Sequence, residues 1–220
     1  MRTGINTTGE IIMRVLVGCE ESQAVTKEFR KLGHEAYSCD LQECSGGHPE
    51  WHIQDDVINT IVAPLNNDPW DIVILHPPCT ALAVSGNAWY GTGMEKNNER
   101  EEAIEWTTSL WNIAKQYALV GVALENPVGV LTHHLGKPQY IQPWQFGHKE
   151  QKKTGLWLHN LPELVETDNV YVEMMELPKK ERERLHYMSP SADRGKLRSK
   201  TYPGIAKAIA CQWGLTQLEK

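Results

Sequence analysis

The stretch Trp70-Asp-Ile-Val-Ile-Leu-His-Pro-Pro-Cys-Thr80 is a short apolar run that ends in a stiff polar tip. Such a run, bounded by turn residues, reads as a strand buried on both faces, as strands of parallel sheets are. Val122-Ala-Leu-Glu-Asn-Pro-Val128 has the same form: a strand over Val120–Leu124 and a tip at Glu125-Asn126-Pro127. Upstream, Arg14–Gly18 reads as a first strand, and Glu20–Gly33 as a helix with Ala24, Val25, Phe29 and Leu32 inward and Gly33 as its stop. His34–Leu41 reads as a second strand, Gln42–Pro49 as a loop broken by Ser45-Gly46-Gly47, and Asp55–Ala63 as a short helix. Asp71–Leu75 is then a third strand and Glu99–Leu119 a helix. Strands alternating with helices through short joints imply right-handed crossovers and helices on both faces. The expected fold is α/β, a Rossmann-like, doubly wound, mostly parallel sheet. Beyond it, Gly155–Leu158 reads as another strand, Leu177–His186 as a charged helix and Gly204–Trp213 as an amphipathic final helix.

A chain of 220 residues suits one domain. The expected division is a flexible extension over 1–13 and a single domain over 14–220. Within it, 14–125 forms the cofactor and catalytic half and 126–220 a reduced, closing half. Apolar runs are strand-sized, so no membrane span is expected. Five cysteines without a regular framework suit reduced thiols in the cytoplasm. The formal charge of −6 weighs against a dedicated duplex binder. The distribution is nevertheless uneven, and Arg194, Lys196, Arg198 and Lys200 alternate as an exposed strand or loop would. That run reads either as phosphate contacts or as a solvated surface. No metal is expected: Cys39, Cys44, His48 and His52 have usable spacings, but Asp40 interrupts the set and Cys39 falls on a predicted buried strand.

In an open parallel sheet, chemistry gathers at the carboxyl ends of the strands. The two tips bring a thiol, Cys79, and a carboxylate, Glu125, to that edge. A nucleophile beside an acid is what attack on an electron-poor ring requires. Glu125 ends an apolar run, where burial is expected to raise its pKa and let it share a proton with a ring nitrogen. The bland readings are a small buried cysteine and a capping or salt-bridged glutamate. A zinc deaminase is excluded, because no Cys-x-x-Cys accompanies the Pro-Cys: the cysteines stand at 19, 39, 44, 79 and 211. Asp40 closes the second strand, where an acid accepts bonds from ribose hydroxyls. With only Gly18 ahead of it, the turn suits a cofactor with adenosine but no phosphates. Asp55 and Asp56 stand either to contact an adenine amino group or to cap the next helix. Thr80–Asn98, long and rich in small residues, reads as a mobile lid, with Trp89 free to stack on a base.

Pro77-Pro78-Cys79 and Glu125-Asn126-Pro127 together resemble the S-adenosylmethionine-dependent cytosine-C5 methyltransferases, particularly the small stand-alone forms of bacteriophages and prophages. The resemblance implies that Cys79 attacks C6 of cytosine and that Glu125 holds and protonates N3. It also implies that Gly18, Asp40, Asp56 and Pro78 line the S-adenosylmethionine site. The helix after Arg198-Ser-Lys-Thr-Tyr-Pro-Gly204 is similar to the motif that closes the family's cofactor pocket. Three departures stand out: one glycine in the first motif, Asn-Pro for Asn-Val, and Gln151-Lys-Lys153-Thr-Gly155 where the family has Gln-x-Arg-x-Arg. Lys153 then replaces a base-orienting arginine, as a point charge rather than a fork. Leu161–Pro190 is too short for a separate target-recognition domain. The implied partner is DNA or a pyrimidine nucleotide. An inert nucleic-acid-binding homologue and transfer of another group are the alternatives.

Overall fold

Val15 and Val17 of the first strand join one buried apolar cluster, while Leu16 between them joins another. The same division recurs in Ile72 and Ile74 against Val73 and Leu75, and in Ala123 against Val122 and Leu124. Alternate residues of each central strand therefore serve two cores, one on either face of the sheet, as a doubly wound architecture requires. The computed structural model describes residues 11–189 and 194–214. Most of the expected extension, residues 1–10, lies outside them; Met13 is buried, and its amide donates to His34 Nδ1 at 3.2 Å.

Among the described residues the sheet has seven strands: β1 (Arg14–Gly18), β2 (Glu35–Asp40), β3 (His52–Gln54), β4 (Ile72–Leu75), β5 (Gly121–Pro127), β6 (Gln139–Ile141) and β7 (Thr154–His159). Their order is β3-β2-β1-β4-β5-β7-β6. The ladders from β3 through β5 are parallel, and β7 runs antiparallel to both β5 and β6. Strand order reverses between β1 and β4, so the crevice at their carboxyl ends is where a ligand would settle. Helix α1 (Ala24–Lys31) and the final helix (Pro203–Gly214) pack together against one core; α2 (Val57–Val62) and α4 (Asn97–Tyr117) cover the other, with the short α3 (Asn87–Tyr90) leading into α4.

Several elements depart from the sequence reading. Helix α1 starts at Ala24 rather than Glu20, because Cys19 and Gln23 take left-handed backbone angles, φ 59° and 56°. Strands β3 and β6 have only three residues each and escape a pattern search. The charged segment after Leu177 is helical only over Lys179–Arg182, with Pro178 at its start and a separate turn at Tyr171–Met175 before it. The expected lid is folded and tied down. Arg100 donates to the carbonyls of Ala81 (2.6 Å) and Ala83 (3.4 Å) and to Asn87 Oδ1 (2.9 Å). Val84 N further donates to Val128 O at 3.0 Å.

Candidate active site

The amide of His76 donates to Gly18 O at 2.9 Å, which extends the β1–β4 ladder by one bond and fixes where the Pro77-Pro78-Cys79 tip begins. Asn126 Nδ2 donates to Pro77 O at 2.9 Å and anchors that tip to β5. The tips of β4 and β5 and the Cys19–Ser22 turn after β1 thus surround one pocket, lined by Cys79, Glu125, His76 and Pro78. Its remaining wall is Lys152 and the segment Arg198–Thr201. The cavity holds about 90 Å³, well below the roughly 300 Å³ at which small-molecule pockets usually begin. Arg198–Thr201 forms the wall that faces the two strand tips across this small space.

Cys79 is half-buried. Burial pushes its thiol upward and the Glu125 charge adds to this, while Lys152 and Arg198 pull it back down. Glu125 reverses the sequence expectation. Burial would raise its carboxyl, yet the hydrogen bond with His76 and the Lys152 charge outweigh that and hold it below the usual carboxylate range. The contact is 3.2 Å from His76 Nδ1 to Glu125 Oε2, with side chains 9% and 16% exposed. Burial alone would lower the histidine, but Glu125 and then Glu20 raise it. Across this contact a carboxyl held low faces an imidazole held high.

Lys152, not Lys153, reaches the pocket; its ammonium donates to Arg198 O at 2.9 Å and so holds the closing segment. Lys153 lies instead 4.1 Å over the Tyr140 ring. Gly155 sits in β7 opposite Asn126, where a Cβ would meet Pro138 Cγ at 2.9 Å.

Around the cofactor positions the picture is mixed. A Cβ on Gly18 would meet Val57 Cγ2 at 2.4 Å, so α2 fills the space a cofactor was expected to approach. Asp56 spends its carboxylate on capping α2, accepting from Ile58 N (2.7 Å) and Asn59 N (3.4 Å). Asp40 stands at the end of β2 beside the Cys19 turn, with Oδ1 accepting from Gln42 N at 2.9 Å. Pro78 is exposed on the pocket rim. The basic run forms a helix, Arg194–Ser199, rather than an extended segment. Arg198 and Lys200 line the pocket, whereas Arg194 does not; Lys196 shares the helix, and its side chain lies outside the described residues.

Sequence reading overlooked three pocket groups. His76 was visible only as the first residue of the tip, and Lys152 only as the neighbour of Lys153. Glu20 is 4% exposed and caps α1, accepting from Val25 N at 2.6 Å and from Thr26 N and Oγ1 at 3.3 and 2.7 Å. Its acidic side chain ahead of a helix was the available signal.

No family model and no curated protein matches the sequence. Among solved structures, the chain is similar to the methyltransferase EhMeth of Entamoeba histolytica, with a TM-score of 0.50 and 12% identity over 73% of this chain and 58% of that one. A candidate DNA modification methyltransferase encoded within an E. coli prophage superposes with a TM-score of 0.45 and 11% identity over 76% of this chain and 56% of that one. The match covers less than three-fifths of either neighbour's own length. Likeness at such identity speaks for architecture. The mostly parallel sheet is a Rossmann-like fold, the architecture it shares with the methyltransferase EhMeth.

Proposed function

We propose that this chain is an S-adenosylmethionine-dependent methyltransferase acting on C5 of cytosine in DNA through a covalent bond from Cys79 Sγ to C6. What carries the reading is that Cys79, Glu125 and the Cys19–Ser22 turn share one pocket at the point where strand order reverses. Attack of the thiolate on C6 opens the C5–C6 double bond, and a proton supplied from the Glu125 side neutralises the charge that reaches N3. C5 then becomes nucleophilic. Bound S-adenosylmethionine supplies an electrophilic methyl group. Loss of the C5 proton to a base and expulsion of Cys79 restore the aromatic ring.

Asp40 would hold the ribose hydroxyls, and the Cys19–Ser22 turn with Pro78 would flank the rest of the cofactor. Asp56 and Gly18 support this site indirectly, by capping and seating α2. A turn whose single glycine is filled by Val57 offers no phosphate cradle, which suits a cofactor without phosphates. Lys152 takes the place of Lys153 as the cation facing the base, and Arg198 and Lys200 at the mouth suit phosphates. In duplex DNA the target base would have to be flipped out of the stack. A free pyrimidine nucleotide is the second reading, favoured by the formal charge of −6.

Transfer of a tritiated methyl group from S-adenosylmethionine to DNA, with wild type and Cys79→Ala side by side, tests the proposal. Label on DNA that disappears in the variant supports it. Label on a nucleotide but not on DNA selects the second reading, and cofactor binding without transfer to either overturns both. A covalent adduct with DNA containing 5-fluorocytosine, absent in Cys79→Ala, would establish the thiol as nucleophile.

A further inference from the structure

His76 has no task in the chemistry above, yet it lies at the centre of the pocket's buried charges. Its ring is held by the β4 tip, its Nδ1 meets Glu125, and its Nε2 is buried without a hydrogen-bond partner among the described residues. Charged groups face it from each neighbouring element: Glu125 from β5, Glu20 from the turn after β1 and Lys152 from the lead into β7. Arg198, on the closing segment, acts on the adjoining Cys79. Glu20 is an acceptor on both oxygens, toward Val25 N and toward Thr26 N and Oγ1, as a carboxylate at a helix N-terminus should be. Burial raises the Glu20 carboxyl against those bonds, so the partner that meets the His76 ring directly is Glu125, 3.2 Å from Nδ1. A second proton on the imidazole would be paired there by the Glu125 carboxylate.

We infer that His76 is a positioning residue that shares one proton with Glu125, so that the acid facing the ring nitrogen is the histidine–glutamate pair rather than the glutamate alone. The inference rests on the reading of Cys79 and Glu125 given above. At rest the proton sits on Nδ1 and Glu125 is a carboxylate. As Cys79 adds to C6 and the electron pair moves to N3, the N–H bond on His76 breaks and the proton passes through the carboxyl group to N3. His76 is left neutral and Glu125 again a carboxylate. Expulsion of Cys79 returns the proton by the same route, so no outside acid is consumed. The β1–β4 ladder, which continues through the His76 amide, keeps the ring from drifting away from Glu125.

NMR titration of the full chain with isotope-labelled histidines reads the pair without any substrate. The chain has nine histidines, and His76→Gln identifies the signal. The expected result is a ring protonated on both nitrogens at neutral pH, titrating above the ordinary histidine range, with a midpoint that falls in Glu125→Gln. A His76 that titrates in the ordinary range and ignores Glu125→Gln overturns the inference. Because Glu125→Gln interrogates the pair from the other side, the test survives if His76→Gln fails to fold. In methyl transfer, His76→Gln should lower kcat by roughly tenfold or more, leave KM for DNA unchanged and abolish the alkaline limb of the kcat profile. Persistence of that limb in the variant counts against the pair. Absence of transfer to any acceptor would overturn the preceding proposal, while the NMR titration would still decide this one.

Discussion

Asn126 Nδ2 and the carbonyl oxygen of Pro77, 2.9 Å apart, join the strand tip that carries Glu125 to the one that carries Cys79. The asparagine is 1% exposed, so nothing from solvent can replace it cheaply. Two residues 49 apart in sequence thus hold the thiol and the carboxyl in mutual register. Asn126→Ala should cost about 1–3 kcal/mol, the penalty of stranding a buried carbonyl, and should slow formation of the 5-fluorocytosine adduct. Urea unfolding and adduct kinetics check both halves. Unchanged values in both would show that the tips are held by the sheet alone.

Gly18 lacks a side chain because Val57 occupies the space. Gly18→Ala should therefore destabilise the fold by about 1–3 kcal/mol through overpacking, and Val57→Ala added to it should recover part of that loss. A double-mutant cycle in denaturant measures the coupling. Strict additivity would mean that the glycine is needed for something other than α2.

Lys152 and Lys153 are adjacent but face different surroundings. Lys152→Met should move the pH midpoint for alkylation of Cys79 upward, because it removes a charge that favours the thiolate. Lys153→Met should leave that midpoint where it is. Mass mapping of the Cys79 peptide after timed iodoacetamide treatment distinguishes it from the other four cysteines.

The His76–Glu125 pair should leave its mark on stability against pH. Glu125 is held below its ordinary value of 4.5, so its contribution is present above that pH and is lost as pH falls through its folded value. His76 is held above its ordinary value of 6.5, so its contribution is complete below that pH and is lost as pH rises through its folded value. The stability difference between wild type and Glu125→Gln is thus expected to peak between pH 4.5 and 6.5 and to shrink on both sides. Urea midpoints across pH 3 to 9, read for both proteins, test this; a flat difference would deny the ion pair.

Much of the architecture was legible because it is written locally. Ile72–Leu75 and Arg14–Gly18 are apolar runs whose burial on both faces follows from composition. The prolines that end the β4 run forecast a tip at the sheet edge. Glu20 was misplaced by the same local logic: an acidic residue before an apolar period looks like a first turn, and only the left-handed angles at Cys19 and Gln23 make it a cap. The alternation of Arg194, Lys196, Arg198 and Lys200 likewise suggested an extended run, whereas Arg194–Ser199 is a helix, with Arg198 and, just past its end, Lys200 on the pocket.

Apolar runs and helical periodicity alone determined the strand-and-helix alternation, and the position of Cys79 and Glu125 at the ends of two such runs put them at one edge of the sheet. Which way Glu125 titrates, which of two lysines faces it and why Gly18 has no side chain were decided by tertiary contacts. Those depend on His76 meeting a strand 49 residues away and on α2 closing over β1, and such distances have no signature in neighbouring residues.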